Sequence, residues 1–367
     1  MKIGIFTFHR AINYGAVLQA CSLKRFLEKS GHQVEFVDYW PDYHNDLQKR
    51  FVIDSSTLSR RIRSFGYSFL TCMRSQKRRK AFQSFLQREL GLVSSVKYRD
   101  SKKLYSLNYD ALIYGSDQIW WHSQLPDFKG YDRVYWGQYV PLSIPKITYA
   151  ASMGKVNFQM NDLEQLKHDL KAFSSLSVRE KALQLALKDT LKVDSQCVLD
   201  PVFLNSKESW IELAEKGKRP IKEAYLFYYN LLPNKATDEK VAFLAKKHHL
   251  KVVRITGRVR PFTYQSMYHD SVSPYDFLAY IQYASMVVSS SFHGVALSLI
   301  MEKEFIATGF GDKTTRVISL LSQLNLENRL VNEKSQIDDF QSINYVKVTQ
   351  KLKDLSQNSK AFLTENL

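Results

Sequence analysis

The sequence predicts an α/β protein built as two Rossmann-like, doubly wound halves. Three observations carry that prediction. Short apolar runs recur along the 367 residues, separated by stretches with helical spacing, the pattern of buried parallel strands and their crossover helices. The series restarts near Glu223, after a linker that contains Pro201, Gly217 and Pro220. With 44% apolar residues, the chain is long enough to fill two compact units.

The elements follow in order. Lys2 to Phe8 is apolar and β-prone, Ala16 to Ser30 has helical spacing, and Val34 to Tyr39 returns to strand character, which makes a βαβ opening. Gly31, just past that helix, suits a left-handed C-terminal cap. A basic helical insertion occupies about 45–105. Buried strands are then expected at Ala111 to Tyr114, Ile147 to Ala151, Leu176 to Val178 and Gln196 to Leu199, closing a first half over 1–205. The second half, 221–340, has strands at Ala224 to Tyr229, Lys251 to Thr256, Met286 to Ser290 and Phe305 to Thr308, with helices at Asn234 to His249 and Pro274 to Ala284. Ser273, Pro274 and Asp276 form a capping box with Asp in place of Glu. The remainder, 341–367, is a C-terminal helix (Tyr345 to Leu363) expected to cross back onto the first half.

Charge is uneven. The net is +16, and Lys49 to Lys103 holds fifteen Lys/Arg against three Asp/Glu, +12 of the total. Arg60, Arg61, Arg63, Arg74, Lys77, Arg78, Arg79 and Lys80 alternate there with Phe65, Tyr67, Phe69, Phe82 and Phe85. This suits anionic lipid or a diphosphate-linked acceptor as well as a plain solvated face. Nucleic acid is not expected, because no zinc-finger or RNP-like signature accompanies the basic residues. No apolar run approaches the roughly 20 residues of a spanning helix, and Met1 to Phe8 enters directly into strand-like sequence. A cytoplasmic protein is expected, with peripheral contact at the inner face of the membrane as its one link to lipid. Cys21, Cys72 and Cys197 stand far apart without a CxxC pair and read as small buried hydrophobes. No HxH or HExxH pattern occurs, so neither a metal nor a cofactor is implied.

Loops after strands should carry function, since doubly wound sheets bind ligands beyond their strand ends. The first, His9 to Ala16, places Asn13, Tyr14 and Gly15 at a helix N-terminus open to an anion. It matches neither GxGxxG nor a P-loop. The second, Gly115 to Trp120, sets Ser116, Asp117 and Gln118 at a strand end, where Asp117 either meets sugar hydroxyls or caps a helix. In the third, Arg179 ends a buried strand and needs an anion, which is either a ligand or its neighbour Glu180. The fourth, Ser289 to Gly294, brings Ser290, Ser291, His293 and Gly294 to a strand-to-helix junction, combining hydroxyls, free N–H groups and a titratable ring. Gly309 to Arg316 adds Lys313 and Arg316 as phosphate-binding cations.

In order, MKIGIFTFHRAINYGAVLQA, GSDQIW, YAASMG, SVRE, LDPVFL, SSFHG and a late R-x-x-x-L-L-x-x-L resemble the polysaccharide pyruvyl transferase family from Met1 to about Leu330. The resemblance implies a GT-B-like fold and transfer of the enolpyruvyl group of phosphoenolpyruvate to a sugar of a polysaccharide or lipid-linked glycan precursor, as a pyruvate ketal. Arg179 and His293 match the family's basic and histidine positions. His293 is then the expected general acid, with Arg179, Lys313 and Arg316 on the donor's carboxylate and phosphate and Asp117 on an acceptor hydroxyl. One departure stands out: many members carry Asn-x-Gly-Asp near the start, whereas Asn13-Tyr14-Gly15 is followed here by Ala16. Two rivals share the pattern, a GT-B nucleotide-sugar glycosyltransferase and a non-catalytic glycan-assembly binding protein.

Overall fold

The computed structural model describes residues 1–46, 58–231, 234–259, 267–309, 315–332 and 341–367. The first half runs β1 (Lys2–Phe6), α1 (Tyr14–Lys29), β2 (Gln33–Phe36), a short α2 (Tyr43–Asp46), the long α3 (Leu58–Leu90) and β3 (Ala111–Tyr114). A hairpin of β4 (Ser123–Leu125) and β5 (Phe128–Gly130) follows, then β6 (Lys146–Thr148), α4 (Leu163–Leu170), β7 (Ser177–Val178), α5 (Lys181–Ala186), β8 (Gln196–Cys197) and α6 (Lys207–Glu215). Its sheet has the order β2-β1-β3-β6, all parallel, with Ile3 opposite both Val34 and Ala111. Bridges from Ile147 to Ser175 and from Ala151 to Val178 tie the parallel β7 and β8 pair to its β6 edge.

The second half runs β9 (Tyr225–Asn230), α7 (Lys235–Lys247), β10 (Lys251–Thr256), β11 (Met267–Tyr268), α8 (Pro274–Gln282), β12 (Met286–Ser289), α9 (Phe292–Ile300), β13 (Phe305–Thr308), α10 (Thr315–Leu324), β14 (Leu330–Val331) and α11 (Tyr345–Asn366). The strands lie parallel in the order β11-β10-β9-β12-β13-β14. Counted within this half, that is 3-2-1-4-5-6, the order of a dinucleotide-binding sheet. Both sheets therefore have a switch point, between β1 and β3 and between β9 and β12. Hydrogen bonds knit each one. Thr7 Oγ1 donates to Ser116 O (2.8 Å), and Leu231 N–H donates to Ser290 Oγ (3.0 Å).

Local chemistry explains the helix ends. Asn13 caps α1 and Gly31, at φ +88°, closes the turn beyond it. The capping box of α8 is complete: Asp276 N–H donates to Ser273 Oγ (3.1 Å) and Ser273 N–H to Asp276 Oδ2 (2.9 Å). α11 crosses back as its pattern predicts. Its Ser359 Oγ accepts from Leu199 N–H (2.9 Å), and Ser356 Oγ donates to Phe203 O (2.8 Å).

The main core does not divide at the linker. One apolar cluster joins Ile5, Leu18 and Phe82 of the first half to Tyr229, Phe277 and Val295 of the second, and smaller clusters lie on the outer side of each sheet. α3 contributes to that join, which changes the reading of the basic insertion. Arg78 is buried; its guanidinium stacks 5.0 Å from the Tyr14 ring and 5.6 Å from the Phe82 ring, and points at the carbonyls of Thr256 and Gly257 across the crevice. Lys77 and Lys80 are the exposed cations of the same turns. The side chains of Arg60, Arg61, Arg63 and Phe65 lie outside the described residues.

Candidate active site

Loops following β1, β3, β7 and β8 meet the first turns of α9 and α10. Asn13 Oδ1 accepts from Gly15 N–H (2.9 Å) and Ala16 N–H (3.4 Å), so it satisfies the first donors of α1. Gly15 has a tertiary reason to be glycine. A methyl group there would sit 2.1 Å from Nδ1 of His293, so the missing side chain lets the imidazole lie against α1. Tyr14 is fully enclosed: it stacks on Phe277 (centroids 4.5 Å apart, planes at 9°) and donates its hydroxyl to Val272 O (3.1 Å). Burial pushes that hydroxyl up to about 12. The structure thus places Tyr14 as a rivet between the halves, away from the open crevice.

After β3, Asp117 holds a left-handed backbone, φ +76°, and its Oδ1 accepts from Gln118 N–H (2.8 Å). Asp tolerates that conformation better than most residues through such local bonds, and strain of this kind gathers at functional sites. Ser116 is buried, donating to Ala150 O (2.7 Å). The Gln118 amide packs on Gly154, where a methyl would come within 2.8 Å of Nε2.

Arg179 is the electrostatic centre. Nη1 donates to Asp200 Oδ2 (2.7 Å) and Nε to Glu180 Oε1 (3.1 Å), which also accepts from Ser152 Oγ (2.7 Å). Nη2 is buried and has no hydrogen-bond partner among the described residues. Burial opposes its charge, but Glu180 and Asp200 outweigh burial and keep the guanidinium protonated. Asp200 behaves conversely. Burial alone would raise its carboxyl, yet His293 and Arg179 hold it well below the usual carboxylate range.

His293, the second residue of α9, directs Nε2 at Asp200 Oδ2 from 3.4 Å, within ion-pair range but without the alignment of a hydrogen bond. Close packing holds the turn: a methyl on Gly294 would lie 2.2 Å from Ser289 Oγ, which accepts from Ser291 N–H (3.0 Å). Ser290 is engaged in the β9 to β12 link, its hydroxyl donating to Asn230 Oδ1 (3.2 Å). Arg316, on α10, lies 5.9 Å from the centre of the Phe292 ring, and Arg179 lies 5.4 Å from the same ring. Burial and the nearby Arg179 push the Arg316 guanidinium below its ordinary value, and it forms no ion pair with any described residue. Lys313 lies outside the described residues.

Residues 13–310 match the family model described as polysaccharide pyruvyl transferase, well over half of the chain. The chain belongs to the polysaccharide pyruvyl transferase family. No curated protein matches the sequence at a significant level. Among solved structures, the transferase is similar to a UDP-GlcNAc 2-epimerase from Neisseria meningitidis (9% identity, 100% of this chain and 99% of that one, TM-score 0.46). It is also similar to the UDP-GlcNAc 2-epimerase from Methanocaldococcus jannaschii (12%, 96% and 92%, TM-score 0.42) and to a spinosyn rhamnosyltransferase complexed with thymidine diphosphate (12%, 98% and 96%, TM-score 0.42). At those scores the likeness adds no weight to the fold, which rests on the two parallel sheets themselves.

In this member of the family, a cavity of about 70 Å³ opens beside the arginine pair, lined by Arg179, Asp200, Phe292 and Arg316, with Asn358 from α11. Arg316 and α11 both follow the segment that matches the family. Sequence reasoning missed Asp200, visible only as part of LDPVFL. An Asp-Pro at a strand end signals a cap, and Asp200 does cap the short turn over Pro201–Leu204. Nothing local signals that its other oxygen reaches a histidine in the opposite half. Among the described residues no helix is long and apolar enough to cross a membrane.

Proposed function

We propose that this transferase takes the enolpyruvyl group of phosphoenolpyruvate and delivers it to two hydroxyls of a sugar in a polysaccharide or lipid-linked glycan precursor, forming a pyruvate ketal. The observation that supports this is the pair of guanidinium groups beside His293, one with a buried donor left open and the other without an ion pair among the described residues. A small trianion supplies the missing acceptors: carboxylate and phosphate across Arg179 and Arg316, with Lys313 as a third cation.

The chemistry balances as follows. His293 gives a proton to the methylene carbon, which becomes the methyl group, and positive charge develops at C2. One sugar hydroxyl adds to C2 and passes its proton to Asp117. The C2–O bond to phosphate breaks, phosphate leaves, and the second hydroxyl closes the ketal. Of the two hydroxyl protons, one replaces that lost to the methyl group and one leaves with phosphate. Asn13, Gly15, Ser116, Gln118, Ser290, Ser291 and Gly294 brace the loops that carry these groups, with Tyr14 joining the two halves behind them. The exposed basic turn of α3 offers anionic lipid a place near the acceptor.

The test is incubation with phosphoenolpyruvate and a panel of lipid-linked and synthetic glycosides, following phosphate release and the mass of the added ketal. Ketal formation is expected, together with thermal stabilisation by phosphoenolpyruvate. Stabilisation by UDP- or GDP-sugars with sugar transfer and no ketal overturns the reading.

A further inference from the structure

We infer that Asp200 is a positioning residue that serves both halves at once, orienting the His293 imidazole through Nε2 while fixing Arg179 through Nη1. This rests on the proposed role of His293 and goes beyond it. The geometry is specific. Asp200 has a fully buried side chain, and Oδ1 is anchored by Val202 N–H (3.1 Å). That leaves Oδ2 shared between Arg179 Nη1 at 2.7 Å and His293 Nε2 at 3.4 Å. Arg179 comes from the first half and His293 from the second.

The second nitrogen has a different environment. Nδ1 faces the bare backbone of Gly15, where a side chain would collide with it. With Nδ1 packed on Gly15 and Nε2 directed at Asp200, the ring is held in one orientation, and the carboxylate selects the tautomer that carries its hydrogen on Nε2. The charged groups of this corner are Asp117, Arg179, Glu180, Asp200 and Arg316, after β3, after β7, after β8 and on α10. Glu180 is committed to Arg179 and Ser152, which leaves Asp200 as the carboxylate in ion-pair range of the imidazole among the described residues.

The experiment is NMR of the ¹⁵N-labelled imidazoles in the full chain, free of substrate, for wild type and Asp200→Asn. Asn keeps an acceptor for Val202 and removes the charge. Neutral His293 is expected as the Nε2–H tautomer in wild type and as a mixture of tautomers in Asp200→Asn. An unchanged tautomer in the variant overturns the inference. Should Asp200→Asn fail to fold, wild type still decides: the Nδ1–H tautomer there sinks the idea. In turnover, Asp200→Asn is expected to lose on the order of 10²-fold in kcat and to raise KM for phosphoenolpyruvate, whereas a merely structural loss leaves the His293 tautomer as it was. Since the tautomer is read without donor, the inference stands or falls separately from the ketal-forming reaction.

Discussion

At the residue scale, a missing side chain matters as much as a present one. Gly15 sits in the first turn of a helix, where alanine would ordinarily be preferred by about 1 kcal/mol. Here the added methyl would meet His293 Nδ1 at 2.1 Å, so the ring must leave its place near Asp200. On the role proposed for His293, we expect Gly15→Ala to lose at least about 10²-fold in kcat, because displacement of a reacting group by an ångström has that cost. Steady-state assay checks this, and wild-type turnover in a folded variant would show that the ring position does not matter.

His44 makes a pH prediction. It is enclosed by Phe8, Trp40, Tyr43 and Tyr135, and neither ring nitrogen has a hydrogen-bond partner among the described residues. Burial, and then the neighbouring His9, lowers it from its ordinary 6.5 to about 3. The unfolded chain therefore takes up a proton below about 6.5 that the native protein refuses until about 3, so stability is full above 6.5 and declines as the pH falls through that window. Asp38 and Asp200, both depressed, add their losses only below the ordinary carboxylate value of 3.8. His44→Phe should flatten the stability difference between pH 7 and pH 5 in chemical denaturation. His269, also lowered by burial, is present in both proteins and cancels.

At the element scale, α3 joins two roles that a linear reading merges into one basic stretch. Its inward face carries Arg78, Phe82 and Phe85 into the core, while Phe69, Leu70 and Met73 are exposed by 72%, 65% and 82%, with Lys77 and Lys80 following on the exposed surface. Arg78→Ala should destabilise by about 2 to 4 kcal/mol, because it removes a stacked, carbonyl-facing cation from between the halves. Neutralising Lys77 and Lys80 should leave the melting temperature unchanged and weaken salt-sensitive sedimentation with anionic vesicles. Sedimentation unaffected by that pair, in either direction of salt, argues against lipid contact through this helix.

Over the whole molecule, two sheets and one continuous core lead to cooperative behaviour. Tyr14, Phe82, Tyr229 and Phe277 interlock across the junction, and α11 returns from the second half to bond Leu199 and Phe203 of the first. We expect a single thermal transition with matching calorimetric and van't Hoff enthalpies, despite the two-sheet layout. Two resolved transitions would mean that the halves unfold independently.

What could be read without coordinates was what neighbouring residues decide. Strand β3, strand β10 and strand β13 coincide with their apolar runs, and the Ser273 to Asp276 capping box forms as written, because backbone geometry and short-range hydrogen bonds set these features. Order and spacing of the loop motifs identified the family for the same reason, each motif being a local solution at a strand end. The short edge strands β11 and β14 carry too little pattern to announce themselves. Only the tertiary structure decided that Arg78 and Tyr14 face inward, that Gly15 makes room for a ring 278 positions away, and that Asp200 stands between Arg179 and His293. Those relations are contacts between elements far apart in the chain, where burial and charge pairing select partners that no local window contains.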